Sequence, residues 1–279
     1  LGEKTRKEDF ESEAQIWELL SAFGMTDEYI EITHHAFYNH HIRMVDKWRN
    51  GRILLAGDAA HLMPPWAGQG MQSGIRDAYG LAWRLRAILK FGADDALLDS
   101  YQVERQPHVE AMTQSAISLG SLIEAKKGPA QVMRNLMMPI LSKSPKFANS
   151  LAVSPDAKSG WFSGKPAKKN PLGQMLPQPH VTLKTGKSVP FDSTYGIDFA
   201  VIGYDTDPAT VAGSDAWKKL GASYVTVRPA GSTAMRDGEV VDETGEIGEW
   251  MQARGSKVIA LRPDRLVAAS DNTSLAVPA

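Results

Sequence analysis

The sequence predicts a mixed fold, α/β in class with α+β elements, on three observations. A short apolar run, Ile53-Leu54-Leu55-Ala56, halts at Gly57-Asp58. A helical periodicity of about five turns follows a loop rich in glycine and proline. Past residue 173, short β-type runs alternate with brief helical ones. With 279 residues the chain can bury a large core, and this length suits two units better than one.

Residues 10 to 23 space Phe10, Ala14, Trp17, Leu20 and Phe23 three or four apart, as one amphipathic helix does, and Gly24 stops it. From Ile30 to Trp48, β-branched and aromatic residues alternate with polar ones, as in strands. Ile53 to Ala56 has the length and flanks of a buried strand. Residues 59 to 70 hold Pro64, Pro65, Gly68 and Gly70, too many breakers for a regular element, which predicts a shaped loop. Met71, Ile75, Ala78, Ala82, Leu85 and Leu89 then recur at intervals of four and three, predicting the apolar face of a helix that ends near Gly92, with Arg76, Asp77 and Arg84 on its other side. Further helical patterns run from about Asp95 to Lys126, interrupted at Pro107, and from Ala130 to Ser142, interrupted at Pro139, which predicts a helical cover.

Residues 152 to 173 gather Pro155, Gly160, Gly164, Pro166, Pro171 and Gly173 among lysines, the composition of an exposed connection. Beyond it Val181–Leu183, Phe199–Gly203, Tyr224–Val227, Val258–Leu261 and Leu266–Ala269 read as strands, and Asp215–Leu220 and Glu246–Ala253 as helices.

Composition excludes several functions. Lys plus Arg total 31 against 32 Asp plus Glu, so no net field gathers nucleic acid or anionic lipid, and neither partner is expected. The absence of cysteine removes disulfides, thiolate metal sites and thiol exchange, so redox work would need a bound cofactor. His34-His35 and His40-His41 are strand neighbours that point to opposite faces, and no metal site is expected of them. No apolar run approaches the roughly 20 residues that span a bilayer, and the charged start is unlike a signal, which predicts a cytoplasmic protein. Opening at Leu1 into a charged stretch, the chain reads as the middle of something longer.

The chemistry is concentrated between residues 51 and 77. A strand ending in Gly57-Asp58 puts a carboxylate where open α/β sheets place ligands, and an ionised Asp, which only accepts hydrogen bonds, suits a sugar or sugar-alcohol hydroxyl. Pro64-Pro65 stiffens the loop and leaves the Pro65 carbonyl as an acceptor. Gly68-Gln69-Gly70-Met71-Gln72 opens a long helix, whose free N–H groups and positive dipole end can hold an anion or a ring that gathers negative charge. The dinucleotide fingerprint does not fit here, because Ser73 stands where its third glycine belongs and prolines, not a strand, precede it. Tyr38 and Trp66 are candidates for a substrate pocket, with core packing the alternative. His61 is read as shaping the loop, and Tyr101, Glu104 and Arg105 as a packing and ion-pair cluster.

The run from Gly51 through Asp58, His61, Pro64-Pro65 and Gly68 to Asp77 resembles the second FAD motif of the flavin aromatic hydroxylases related to p-hydroxybenzoate hydroxylase, in the branch of the 3-(3-hydroxyphenyl)propionate hydroxylases. The likeness extends through Leu98-Asp99-Ser100-Tyr101-Gln102-Val103-Glu104-Arg105-Gln106-Pro107-His108 and returns at Leu261-Arg262-Pro263-Asp264-Arg265, similar to the end of such enzymes' thioredoxin-like domain. The resemblance implies the C-terminal part of an FAD-binding monooxygenase fold: residues 1–50 as the tail of a substrate-binding sheet, 51–151 as the C-terminal part of the FAD-binding domain, 152–173 as a linker, and 174–279 as a thioredoxin-like domain without cysteines. It also implies that Asp58 binds the ribityl chain of FAD, that the N–H groups of Met71 and Gln72 face the pyrimidine end of the isoalloxazine, that Gly57, Pro65, Gly68 and Gly70 belong with them to the cofactor site, and that the Pro65 carbonyl lies by the substrate hydroxyl as the catalytic contact. In the family NAD(P)H reduces FAD, and O2 then hydroxylates a small aromatic substrate. The glycine-rich turn for the ADP part of FAD is not in this sequence, so the chain alone is expected to bind FAD weakly or not at all. The C-terminal unit implies a structural role in subunit contact, in a homodimer. A non-catalytic remnant or interaction module that keeps the fold without cofactor is the alternative reading.

Overall fold

The computed structural model describes residues 12–36, 40–124, 131–132, 135–136, 139, 143 and 157–278. They form two compact units, Leu1–His41 and Ile42–Ala279. The helix expected over Ala130 to Ser142 falls largely outside the described residues, as does Tyr38.

In the first unit, helix α1 (Glu13–Ser21) starts at Ser12, whose backbone N–H and hydroxyl reach Gln15 Oε1 at 3.3 and 2.8 Å. The chain turns out of it at Gly24, with φ +71°. No described residue of this unit is buried, and Phe23 and Tyr29 are exposed. The strand expected from Ile30 onward does not form over residues 30–36. An alternating pattern becomes a strand only where a neighbour takes its backbone hydrogen bonds, and among the described residues 30–36 pair with no other strand.

The second unit begins with two small ribbons. Strand β1 (Arg43–Met44) pairs antiparallel with β4 (His61–Leu62), and β2 (Arg49–Asn50) with β3 (Ile53–Leu54). The apolar run is therefore a two-residue strand, not a buried one, and Ile53 is 66% exposed. What packs instead is Trp48, fully buried against His61 and Tyr101. Its backbone N–H is held by Gln102 Oε1 at 2.9 Å.

Helix α2 (Gln69–Phe91) ends at Gly92, φ +69°, where the N–H groups of Gly92 and Ala93 close back on the carbonyls of Ile88 and Ala87. Its buried face differs from the expected one. Ser73, Asp77, Gly80, Trp83, Arg84 and Ala87 are buried, while Met71, Ile75 and Leu89 are 75%, 60% and 82% exposed. Asp77 and Arg84 go inward because their charges find partners there, whereas hydropathy counts them as outward.

Helix α3 (Asp99–Glu124) runs unbroken through Pro107, against the expected interruption. Proline has no N–H for the carbonyl four residues back, that of Val103. The Ser159 hydroxyl donates to that carbonyl at 3.1 Å and satisfies it from outside the helix. Ser159 belongs to the segment expected as an exposed connection. Over residues 157–173 this segment is instead held down, with Trp161, Phe162 and Leu172 buried and Ala157 and Gly173 bonded through their backbones at 2.8 Å. Its glycines and prolines shape a close fit: a Cβ on Gly160 would fall 2.0 Å from the Glu104 side chain.

The C-terminal sheet comprises β5 (His180–Leu183), β6 (Ser188–Pro190), β7 (Ala200–Tyr204), β8 (Ser223–Pro229), β9 (Glu239–Asp242), β10 (Val258–Leu261) and β11 (Val267–Ser270), in the order β11-β10-β7-β8-β9-β5-β6. β7, β8 and β9 are mutually parallel, and the other pairings are antiparallel. Within it β8-β7-β10-β11, a parallel pair followed by two antiparallel strands, has the thioredoxin-like arrangement. Strand periodicity sorts side chains to two faces. Ala200, Ile202, Ile259 and Leu261 join Ile247 and Met251 of α4 (Glu246–Gln252). Val201, Val258 and Ala260 join Phe199, Trp217 and Trp161, together with Trp83 and Ala87 of α2. The four aromatic rings meet at centroid distances of 5.8 to 5.9 Å.

One buried charge cluster joins these parts. Glu104 of α3 accepts two hydrogen bonds from Arg262, at 2.6 and 2.8 Å, and one from the Trp161 N–H at 2.9 Å. Arg84 Nη2 lies 2.8 Å from Glu104 Oε2, an ion pair without hydrogen-bond alignment. Burial opposes ionisation of Glu104, but Arg262, Arg84 and these hydrogen bonds outweigh it and bring its pKa to about 2. This folded value lies below that of the unfolded chain, so the stability it provides is complete above about pH 4.5 and is lost as pH falls toward 2. Glu104→Gln should cost about 3–5 kcal/mol at neutral pH, because it strands the buried Arg84 and leaves Arg262 with Asp264 alone. In urea titrations repeated from pH 7 to pH 3, the variant should lose less stability than the parent over the acid range.

Candidate functional site

The segment singled out by sequence folds as two tight turns set against the start of α2. Gly57–Ala59 is a 3-10 turn closed by the Ala60 N–H on the Gly57 carbonyl at 2.8 Å, and Gly57 has φ +56°. Asp58 is exposed on this turn, and no ion pair or hydrogen bond engages its carboxylate among the described residues. Gly57 and Gly74 meet backbone to backbone: a Cβ on Gly74 would stand 3.5 Å from the Gly57 Cα. That approach seats the Asp58 turn one helical turn from Gly70 and Met71.

Pro65–Ala67 forms the second 3-10 turn. The Pro65 carbonyl was expected as a free acceptor; it already takes the Gly68 N–H at 2.9 Å, which leaves one lone pair. Trp66, 38% exposed, lies with its indole on the α3 backbone at Gly120, where a Cβ would come within 2.3 Å of the ring. Packing on α3 thus accounts for one face of Trp66.

Gly68, φ +62°, ends that turn and begins α2. No side chain caps the helix, and nothing lies within 4 Å of a Cβ built on Gly70. Met71 and Gln72 are exposed. The helix starts at Gln69, so the N–H groups of Gln69, Gly70 and Met71 have no carbonyl within the helix, whereas that of Gln72 is the first placed to reach one, at Gly68.

Asp77, buried on α2, holds these pieces together and was missed as a site residue. Its Oδ2 accepts from the Gly57 N–H at 3.0 Å and lies 2.6 Å from His61 Nε2, and its Oδ1 accepts from Arg105 Nε at 2.7 Å. A carboxylate can only accept, so His61 donates from Nε2; its Nδ1 is buried without a partner. Burial works against ionisation of Asp77, but His61, Arg105 and the Gly57 amide hold its carboxyl below the usual carboxylate range. The visible signal was a carboxylate within a helical pattern, four residues after Ser73 and three before Gly80, on the smaller-residue side. Among the described residues no group of three or more His, Asp or Glu is placed to hold a metal ion, and no helix is long and apolar enough to cross a membrane.

Residues 2–116 match a family described as FAD binding domain, and residues 173–277 one described as HcaD C-terminal domain. A 3-(3-hydroxy-phenyl)propionate/3-hydroxycinnamic acid hydroxylase of Mycolicibacterium smegmatis is 34% identical over 270 residues, which cover 91% of this chain and 48% of that protein. The protein of the same description in Klebsiella pneumoniae is 34% identical over 289 residues, 96% of this chain and 51% of its own. The chain therefore spans about half the length of the curated relatives it matches. In fold it is similar to aklavinone-11 hydroxylase, solved with FAD and aklavinone, at a TM-score of 0.70 and 24% identity, with 98% of this chain and 50% of that one covered. It is likewise similar to the flavin-dependent monooxygenase PieE, solved with FAD and substrate, at a TM-score of 0.68 and 18% identity over 99% of this chain and 54% of that one.

The Asp77 centre makes a prediction about coupling. Asp77→Asn and Arg105→Gln should each destabilise the fold by about 3–5 kcal/mol, since each strands the other's charge. The double variant should be more stable than the sum of the two losses by about 0.5–3 kcal/mol in chemical denaturation. Simple additivity would mean that the two side chains do not work as a pair.

Proposed function

We propose that this chain, whose residues 2–116 belong to the FAD binding domain family and residues 173–277 to the HcaD C-terminal domain family, forms the flavin-facing C-terminal half of an FAD-dependent hydroxylase acting on small phenolic acids. The observation behind the reading is the contact of Gly57 with Gly74, which sets an exposed, unpaired carboxylate beside an uncapped helix start. These groups fit the two ends of a flavin's polar edge. Asp58, with Gly57 giving close access, would accept from ribityl hydroxyls. Gly68 and Gly70 would leave the ring room to approach, and the Met71 N–H, with that of Gln72, would face its electron-rich pyrimidine end under the positive helix dipole.

Bound FAD would supply the oxidation, with electrons from NAD(P)H and oxygen from O2. The chain's own part is to hold and orient. The remaining lone pair of Pro65 would accept from the phenol hydroxyl and so orient the ring, and Trp66 would wall the pocket beside it. The substrate class follows the 34% identical relatives, whose description is that of phenylpropionate and cinnamate hydroxylases. A homodimer and a cytoplasmic location complete the proposal.

The test uses the protein of native length that carries this sequence, given NAD(P)H, isotope-labelled O2 and 3-(3-hydroxyphenyl)propionate. Label should enter the ring in a flavin-dependent way. Asp58→Ala should weaken FAD binding by about tenfold or more, the worth of one or two charge-assisted hydrogen bonds at about 1.5–3 kcal/mol. Unchanged FAD affinity in that variant would remove Asp58 from the site, and absence of labelled product with every phenolic acid offered would overturn the proposed activity.

A further inference from the structure

A cavity of about 760 Å³ lies in the second unit between α2, α3 and the segment that precedes β5, and none of its lining belongs to the 57–72 loops. Its walls are largely apolar, with Ile75, Tyr79, Ala111, Leu172 and Met175 among them. The charges at its base are matched: Glu104 sits between Arg84 and Arg262, Asp264 bonds Arg262, and Asp77 bonds Arg105. Lys158 and Lys168 are exposed at the margin, where water screens them.

Arg76 is the exception. It lines the cavity half-buried, its Nη1 has neither solvent nor a hydrogen-bond partner, and among the described residues no carboxylate pairs with it. Burial, and then the charge of Arg105, make its guanidinium less favourable than in water. Its surroundings register the same field. His108 also lines the cavity with both ring nitrogens unpartnered, and burial, followed by Arg105 and Arg76, pushes its pKa down to about 4. A half-buried cation without a counterion is disfavoured relative to water, a bound anion would relieve that, and a guanidinium grips a carboxylate with two parallel hydrogen bonds.

We infer that this cavity is a binding site for an amphipathic organic monoacid, its carboxylate on Arg76 and its hydrocarbon part along Ile75, Tyr79, Leu172 and Met175. A single uncompensated cation in an apolar enclosure suits a monoanion with an apolar body. Inorganic phosphate would bring charge in excess and nothing for the walls to cover. The site is separate from the proposed flavin edge, and either can fail without the other.

Isothermal titration of the full chain with octanoate, with its neutral counterpart octanamide, and with inorganic phosphate tests the assignment. Octanoate should bind at one equivalent and octanamide about tenfold or more weaker, as expected for loss of a charge-assisted pair. Phosphate should show no saturable binding. Arg76→Gln should bring octanoate down to the octanamide level, and without ligand it should melt no lower than the parent, since it removes an unpaired charge. Octanoate and octanamide binding alike in the parent protein would overturn the inference with no variant needed. So would full octanoate affinity in Arg76→Gln, or phosphate binding as tightly as octanoate.

Discussion

The carboxylate of Asp77 joins three separate pieces of chain at one point in space. The Gly57 amide, the His61 ring and the Arg105 guanidinium all converge on its two oxygens, within 2.6 to 3.0 Å. Each partner sits on a different piece of chain: the first turn, the short strand β4, and α3. An ionised group this deeply placed is tolerable only when both its oxygens are held by donors, and that requirement fixes the pieces relative to one another. The position of the Asp58 turn against α2 follows from it, as does the opening in front of Gly70 and Met71.

Glu104 plays the corresponding part twenty-seven residues further along the chain, between α3 and the end of β10. There two arginines compete for one carboxylate, and Asp264 supplies the second negative charge for Arg262. Pro107 and Ser159 add a smaller joint of the same kind, a carbonyl orphaned by a ring and satisfied by a hydroxyl from another segment. The helices are thus tied to the C-terminal sheet by polar groups as well as by the aromatic cluster around Trp83 and Phe199. Arg76 stands out against this background because it alone among the cavity's inward-facing arginines has no such match.

Much of this was legible in the sequence. The strands Val258–Leu261 and Ala200–Tyr204 are dense in β-branched and apolar residues, and their pattern placed them within a residue of their observed limits. The glycine and proline loop before α2 was likewise visible, because Gly68 and Pro65 have few other uses than turns. What failed did so for physical reasons. Strand β9 is Glu-Val-Val-Asp, with two charged residues that read as solvent, yet all four are buried because Asp242 caps α4 and Glu239 pairs with Arg228. The face of α2 was misassigned because hydropathy scores Asp77 and Arg84 without their partners, and those partners are 28 and 20 residues away in sequence. Of the candidate site, the residue types were readable and the element that positions them was not.

The most direct measurement of the central claim is amide-resolved NMR of the isolated chain titrated with FMN, which carries the isoalloxazine and ribityl parts without adenine and reports contact even when binding is weak. The account predicts that the shifts concentrate at Gly57, Asp58, Gly70, Met71 and Gln72 and move together along one binding curve. Shifts that avoid these residues, or that follow separate curves for the Asp58 turn and the start of α2, would contradict it.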